Sequence, residues 1–426
     1  MSNAFRLRHL AQVNPGSPAF DALQDDDELT FLPMEAVWPG SRLDISQRRT
    51  KKAVSTGYTR FQNGDVLVPK ITPTFEAGRA VLIQGLHGGV GAGTTELHVI
   101  RPGTAINPRF LLYVVNTHSF LKLGEAEMYG VAGQQRVPDE YLRDLRVPLP
   151  SLEEQRRIAD FLDAETARID QINAKRLEQM ELLAERRTAA LAECVSSDGP
   201  DSIQHPLVGT VPRTWPVLPL RRVIPAVNVG VVINPSTYFT DDGVPFIHGF
   251  NVRSGWIEPH GMKFMSHESN EELSRSRIRS GDVLVVRAGS PGRAAVVTEE
   301  YDGANCASVL ILRRGRAMLP QFLSAFINSP AGRGQVQVSQ YGAAQEVISA
   351  AQTLSFMAPV PDVSEQQYRV DRLNTVLTNQ DQVLSKLQRQ TTLLAERRQA
   401  VITAAVTGQF DVSTASGRNV TEGVTT

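Results

Sequence analysis

The stretch SRLDISQRRTKKAVSTGYTR at 41–60 carries six bases and one acid. Guanidinium and ammonium groups at that density suit phosphate, and Arg, Lys, Asn and Gln side chains can also read base edges. The candidates are Arg42, Arg48, Arg49, Lys51, Lys52, Tyr58 and Arg60, followed by Lys70, Thr72 and Thr74 of PKITPT. A second set comprises Arg253, Lys263, Arg275 and Arg277, then Arg287, Ser290 and Arg293 of RAGSPGR. Both loops directly follow the same pentapeptide, GDVLV, at 64–68 and 281–285. Amides join each set from a matching glycine-containing segment: Gln134 and Gln135 in MYGVAGQQ, and Gln345 in QYGAAQEV. The bland alternative for any one of these residues is a solvated loop. The pattern, one frame with different side chains at the same place, is what a two-site reader needs.

Catalytic chemistry finds less support. GLHGGVGAGTT (85–95) contains GxG but lacks the Lys-Ser/Thr of a phosphate loop, and ELHVIR after it has strand character, so the run reads as a hairpin turn. NPRF at 107–110 resembles the Asn-Pro-Pro-Phe/Tyr element with which amino-methyltransferases hold a base amine. Arg109 replaces the second proline, the segment opens a helix, and no FxGxG cofactor loop accompanies it. The eight histidines show no HxxxH or HExxH spacing, there is no GxSxG elbow, and the Asp…Glu-x-Lys pattern of many nucleases is missing. The chain reads as non-catalytic, with no metal site and no cofactor of its own.

These loops sit in a duplicated chain. LLAERR occurs at 182–187 and again at 393–398. FRLRHLAQVNPG answers LPLRRVIPAVNVG, TTELHVIRPG answers ASVLILRRG, and NPRFLLYVVNT answers LPQFLSAFINS. PLPSLEEQRRI and PVPDVSEQQYRV each open a long helical segment. The order is module, helix, module, helix, with boundaries at 1–150, 151–197, 198–362 and 363–410, then a polar, disordered tail over 411–426. Ser151 with Glu154, and Ser364 with Gln367, have capping-box spacing. Residues 370, 373, 377, 380, 384, 387, 391, 394, 398, 401 and 405 alternate by 3 and 4, a heptad seam. Its counterpart in the first helix runs from Leu162 to Cys194 and includes the polar Asn173 and Arg176. A 40-residue helix is about 60 Å long, at ~1.5 Å per residue, and would expose this seam if alone. The predicted class is therefore α+β: two strand-rich α/β modules in internal repeat, separated by two long helices that form an antiparallel coiled coil.

Composition narrows the class further. Hydrophobic residues make up 41% and charged ones 21%, enough to bury cores, and the net charge of −1 makes any phosphate-binding surface a local patch. No apolar run approaches a membrane span and the N-terminus lacks a signal-peptide core, so a cytoplasmic location with no membrane association is expected. The two cysteines, Cys194 and Cys306, read as reduced thiols.

The arrangement resembles the DNA-specificity subunit of Type I restriction-modification enzymes. The resemblance spans about residues 5–410 and rests on the order of modules and helices, on VPLPSLEEQRRI, on LLAERR and on TVPRTWPVLPL before the second module. PVPDVSEQQYRV departs from the pattern at Val360, Val363 and Tyr368. The resemblance implies that each module is a target-recognition domain reading half of a bipartite site on double-stranded DNA, and that the helices set the unread gap. It also implies docking of two methyltransferase subunits that use S-adenosylmethionine, and of motor-nuclease (restriction) subunits that use ATP and Mg, in a system of phage defence. Leu182, Glu185, Leu393 and Glu396, off the seam centre in the two LLAERR copies, are the expected docking residues. The other two readings are a coiled-coil scaffold that reads no DNA and a stand-alone DNA methyltransferase.

Overall fold

The computed structural model describes residues 4–38, 42–131, 133–232, 235–340, 347–409 and 411–412. The expected disordered tail lies, from 413 on, outside the described residues. The chain forms two compact units, Met1–Leu177 with Leu387–Thr426, and Glu178–Lys386.

Each unit is built on two four-stranded sheets. In the first, one sheet runs Arg48–Thr50, Glu28–Leu32, Val90–Gly93, Thr59–Gln62, and the other Ala11–Val13, Leu97–Pro102, Val66–Pro69, Val81–Leu82. In the second, the order is Phe239–Thr240, Lys263–Met265, Val244–His248, Asn305–Ala307, and Val227–Val229, Val309–Leu312, Val283–Val286, Ala294–Val296. The duplication is visible in pairing. Each unit has a parallel strand pair among antiparallel ones: Glu28–Leu32 with Val90–Gly93, and Val244–His248 with Asn305–Ala307. Each closes with a short antiparallel pair, Ala4–Arg6 with Arg146–Pro148 and Val217–Pro219 with Met357–Pro359.

The repeated GDVLV has a physical basis. Gly64 and Gly281 take φ of 93° and 84°, a left-handed turn that glycine alone enters freely. The aspartate that follows is buried. Asp65 accepts from Nε and Nη2 of Arg101 at 2.8 and 2.9 Å and from the Gln62 backbone amide at 2.9 Å. Asp282 accepts Arg313 at 2.6 Å and the Arg279 amide at 2.9 Å. The VLV that follows is a fully buried strand in both units.

The glycine run is only partly a turn. Residues His87–Gly89 turn, but Val90–Gly93 is an inner strand. A Cβ on Gly91 would lie 2.2 Å from the Phe61 ring, and one on Gly93 2.5 Å from the Leu32 carbonyl, so close packing explains the glycines.

The long helices are Leu152–Val195 and Val363–Thr407. All the predicted seam positions of both are buried or half-buried. In the first unit Ile158 and Leu162 pack with Val401, Ile402 and Ala405; in the second Leu191 and Cys194 pack with Val370 and Leu373. The start of one helix meets the end of the other in both, which is antiparallel pairing. LLAERR supplies a matched ion pair to it: Arg187 to Asp381 at 2.7 Å, and Arg398 to Asp170 at 3.7 Å. Asn173 Oδ1 and Gln380 Oε1 are sealed in the seam with no hydrogen-bond partner among the described residues. Burial carries the Cys194 thiol up to about 12, so it is an inert part of the packing.

Both helices begin on the same device. Ser151 Oγ accepts the Glu154 amide at 3.2 Å. The second cap differs from expectation: Asp362, not Ser364, accepts the Glu365 amide, at 2.9 Å. A carboxylate there also complements the helix N-terminus. Four residues after each cap stands a fully buried glutamine. Gln155 accepts the Asn107 amide at 2.7 Å and donates to the Ala105 and Pro150 carbonyls. Gln366 accepts the Leu319 amide at 2.7 Å and donates to the Ala317 and Pro361 carbonyls. One amide thus ties each long helix to the loop before the module helix Pro108–Val114 or Pro320–Asn328. Gln366→Leu keeps the volume and removes the amide, and should destabilise the second unit by about 1–3 kcal/mol, as buried polar groups lose their partners. Urea unfolding with a midpoint equal to the parent's would show that the clamp is dispensable.

Candidate nucleic-acid interface

The loop that follows GDVLV is joined, in both units, to the glycine-containing segment that the sequence pairs with it. In the first unit Val137 N–H donates to the Lys70 carbonyl at 2.9 Å, and Ile71 bridges Arg136. Thr72 N–H donates to the Gln135 carbonyl at 3.0 Å, and the Gln135 amide to Thr72 Oγ1 at 3.2 Å. Lys70, Thr72, Gln134 and Gln135 are therefore brought together, beside the exposed Tyr129 and Val131. In the second unit Ile348 N–H donates to the Arg287 carbonyl at 3.0 Å, and Ala288 bridges Val347. Gln345 lies outside the described residues. The frame is the same in both units and the side chains differ.

Glu96 and Arg136, absent from the sequence-derived candidates, hold the first loop pair. Arg136 donates to both Glu96 oxygens at 2.7 and 2.9 Å. Those bonds, chiefly, hold the Glu96 carboxyl below its ordinary range, against burial. Beneath them His98 is buried. Its Nε2 meets the Val137 carbonyl at 2.9 Å and its Nδ1 the Asn14 amide nitrogen at 3.1 Å. With Asn14 as donor, the Nε2–H tautomer is the one that satisfies both bonds. Burial lowers the His98 pKa; the Val137 bond and Asp139, whose carboxylate is 3.6 Å away, pull the other way and do not prevail.

The basic segment 42–60 divides. Arg49 lies over the Phe31 ring at 3.8 Å and donates to Tyr58 Oη at 3.2 Å. Arg60 lies over Phe20 at 4.2 Å and pairs with Asp21, and Lys51 donates to the Asp21 and Leu23 carbonyls. These three roof the small core of Phe20, Leu29, Phe31 and Val54. Arg48 and Lys52 are exposed. Arg42 lies in the short strand Arg42–Leu43, and its side chain lies outside the described residues. Thr74 caps locally, donating to the Ile71 carbonyl at 2.6 Å.

In the second unit the turn 253–256 joins the RAGSPGR loop. Gly255 N–H donates to the Ala294 carbonyl at 2.8 Å, which sets the turn carrying Arg253 beside the end of the loop that carries Arg287, Ser290 and Arg293. The residue that organises it, Arg333, was not among the sequence candidates. It donates to the Pro291 carbonyl at 3.1 Å, to Ser254 Oγ at 3.1 Å and to Asn328 Oδ1 at 3.2 Å. Arg277 turns inward, donating to the Asn270 carbonyl and pairing with Glu271. Arg275 is exposed next to it, and Lys263 is exposed on a different strand, Lys263–Met265.

NPRF has a structural explanation. Asn107 caps the helix Pro108–Val114, accepting the Arg109 and Phe110 amides at 2.9 and 3.2 Å. Arg109 pairs with Asp160 and Asp163 of the first long helix, both at 2.6 Å. No group of metal-binding side chains occurs among the described residues, and no described helix is long and apolar enough to cross a membrane.

Residues 57–182 match the family described as Type I restriction modification DNA specificity domain. The chain resembles Type I restriction enzyme specificity subunits. The EcoAI specificity subunit of Escherichia coli is 42% identical over 156 residues, 36% of this chain and 26% of that protein. The EcoEI specificity subunit of Escherichia coli is 33% identical over 201 residues, 46% of this chain and 33% of that one. The matched segments thus span a third or less of these relatives' lengths. A solved chain from a type I R-M system superposes with a TM-score of 0.72 at 19% identity, covering 95% of this chain and 97% of that one, which shows a shared fold.

His98 yields a pH prediction. A histidine kept neutral by the fold contributes stability that is complete above its unfolded pKa of about 6.5 and is lost progressively as the pH falls below it. Acidification from pH 7.5 to 5.5 should lower the stability of the first unit. In His98→Gln that slope should flatten, and identical slopes in the two proteins would remove His98 as the cause.

Proposed function

We propose that this chain is the sequence-specific DNA-recognition subunit of a Type I restriction-modification enzyme and carries no catalysis of its own. The observation that supports it best is the repeated loop pair. Lys70 joined to Val137, and Arg287 joined to Ile348, use one backbone frame to present Lys-Thr-Gln in one unit and Arg-Ser-Arg in the other. Each module reads one half of a bipartite site on double-stranded DNA, with about 1–3 kcal/mol of discrimination per base pair. Joining two readers in one chain makes the second encounter intramolecular.

In this reading the antiparallel helices set the unread gap. They also dock two methyltransferase subunits, through Leu182, Glu185, Leu393 and Glu396. All four side chains are exposed, while Leu183 and Leu394 of the same motif are drawn into the seam. S-adenosylmethionine is then the methyltransferase's cofactor, and ATP and Mg belong to the motor-nuclease subunits, all in the cytoplasm.

The test is methylation mapping after co-expression with the adenine-methyltransferase subunit of the same system. A bipartite motif with a fixed gap and N6-methyladenine in both halves is expected; a continuous motif would refute the two-module reader. Adding one heptad to both helices, about 10 Å at ~1.5 Å per residue, should widen the gap by about three base pairs. An unchanged gap would sink the ruler. Glu185→Lys with Glu396→Lys should weaken methyltransferase binding at least tenfold with unfolding unchanged, and equal affinity would remove these residues from the docking surface.

A further inference from the structure

The turn 253–256 carries more than its one predicted arginine. It closes a hairpin between the bridge partners Val252 and Ile257, with the Arg253 amide donating to the Trp256 carbonyl at 2.9 Å. Gly255 at its tip takes φ of 107°. Trp256 is 47% exposed, and Phe250, just before the hairpin, 55%. The Phe250 ring lies parallel to His248 at 5.3 Å. Exposed aromatics recur where proteins press apolar surface against bases.

Two arginines grip this turn from different elements. Arg333 reaches Ser254 Oγ and also the Pro291 carbonyl of the RAGSPGR loop. Arg187, the last residue of the first LLAERR, donates to the Ser254 carbonyl at 3.3 Å, and its guanidinium stands 5.4 Å from the Trp256 ring centre. Asp381 binds the other Nη of Arg187. Among the described residues Arg253, Arg287, Arg293 and Arg333 form no ion pair. Burial first, and then the neighbouring Arg293, lower the Arg333 pKa. A duplex brings phosphates for those cations and base edges for the ring, so the charge and the shape point to the same occupant.

Resting on the reading above, we infer that Trp256 is a specificity-determining DNA contact of the second module, and that Arg187 is the positioning residue that fixes its turn to the long helix. LLAERR then has two tasks in this unit: pairing the helices through Asp381 and setting the readout turn through Ser254.

The test uses the full chain bound to its methyltransferase subunits, on duplexes carrying the mapped site with either half randomised. Trp256→Ala should lose at least tenfold discrimination at the second module's half-site and keep that at the first, with Trp256→Phe restoring part of it. Arg187→Ala should show the same one-sided loss. Asp381→Ala breaks the helix ion pair but leaves the Ser254 and Trp256 contacts, and should retain readout. Discrimination within twofold of the parent in Trp256→Ala overturns the contact. An equal loss in Asp381→Ala and Arg187→Ala overturns the positioning role, because the helix pair would then account for it. If the parent itself shows no site preference, the recognition reading fails, a result distinct from either.

Discussion

An apolar stripe along a helix of more than forty residues must be covered, and the rest of the molecule follows from that constraint. Covering it with the other copy, running in the opposite direction, leaves every seam position from Val370 to Ala405 and from Leu162 to Cys194 buried or half-buried. The stripe is not uniformly apolar. Asn173 Oδ1 and Gln380 Oε1 find no hydrogen-bond partner among the described residues, which costs stability at those seam positions. The ion pairs from Arg187 to Asp381 and from Arg398 to Asp170 add register rather than much stability, since each has a half-exposed partner.

The modules are attached to this frame by polar contacts that cannot slide. Gln155 and Gln366 each use both ends of one amide in a site closed to water, where three hydrogen bonds accept little displacement. The Asp65–Arg101 and Asp282–Arg313 pairs do the same for the strand that leads into each variable loop. A rigid support followed by a loop whose side chains differ between the two units is an arrangement in which loop residues can change without loss of fold. The electrostatics agree. Acids compensate the arginines of the frame, whereas Arg253, Arg287 and Arg293 at the loops form no ion pair among the described residues.

Much of the architecture was legible in the sequence because it is either periodic or copied. Helix extents, the seam, the Gly-Asp turn and the pairing of PKITPT with RAGSPGR all follow from spacing or from the repeat. The candidate site was only partly legible. Arg49, Lys51 and Arg60 look like a phosphate patch in one dimension, yet they cover the Phe20 and Phe31 core, because long cationic side chains pack their stems and planes on aromatic rings. Arg277 was likewise drawn to Glu271. Asp362 displaced Ser364 as cap because the helix begins one residue after the former. The glycine run is a turn only at His87–Gly89, and its strand portion was not legible because the Phe61 ring and Leu32 carbonyl that demand Gly91 and Gly93 are distant in sequence.

The sequence by itself determined that this is a duplicated chain, where its long helices lie, which stripe they bury, and which two loops vary on a common frame. These properties rest on local periodicity and on comparing one half with the other, and no contact need be known. The tertiary structure alone decided which arginines are paired within the fold, such as Arg101 and Arg313, and which form no ion pair among the described residues, such as Arg253, Arg287 and Arg293. It also decided that Thr72 meets Gln135, that Arg333 ties two loops together, and that Arg187 serves both a helix pair and the Trp256 turn. Each is a meeting of residues remote in the chain. Which partner a charged side chain takes depends on what the fold brings within about 3 Å of it, and no spacing in the sequence carries that distance.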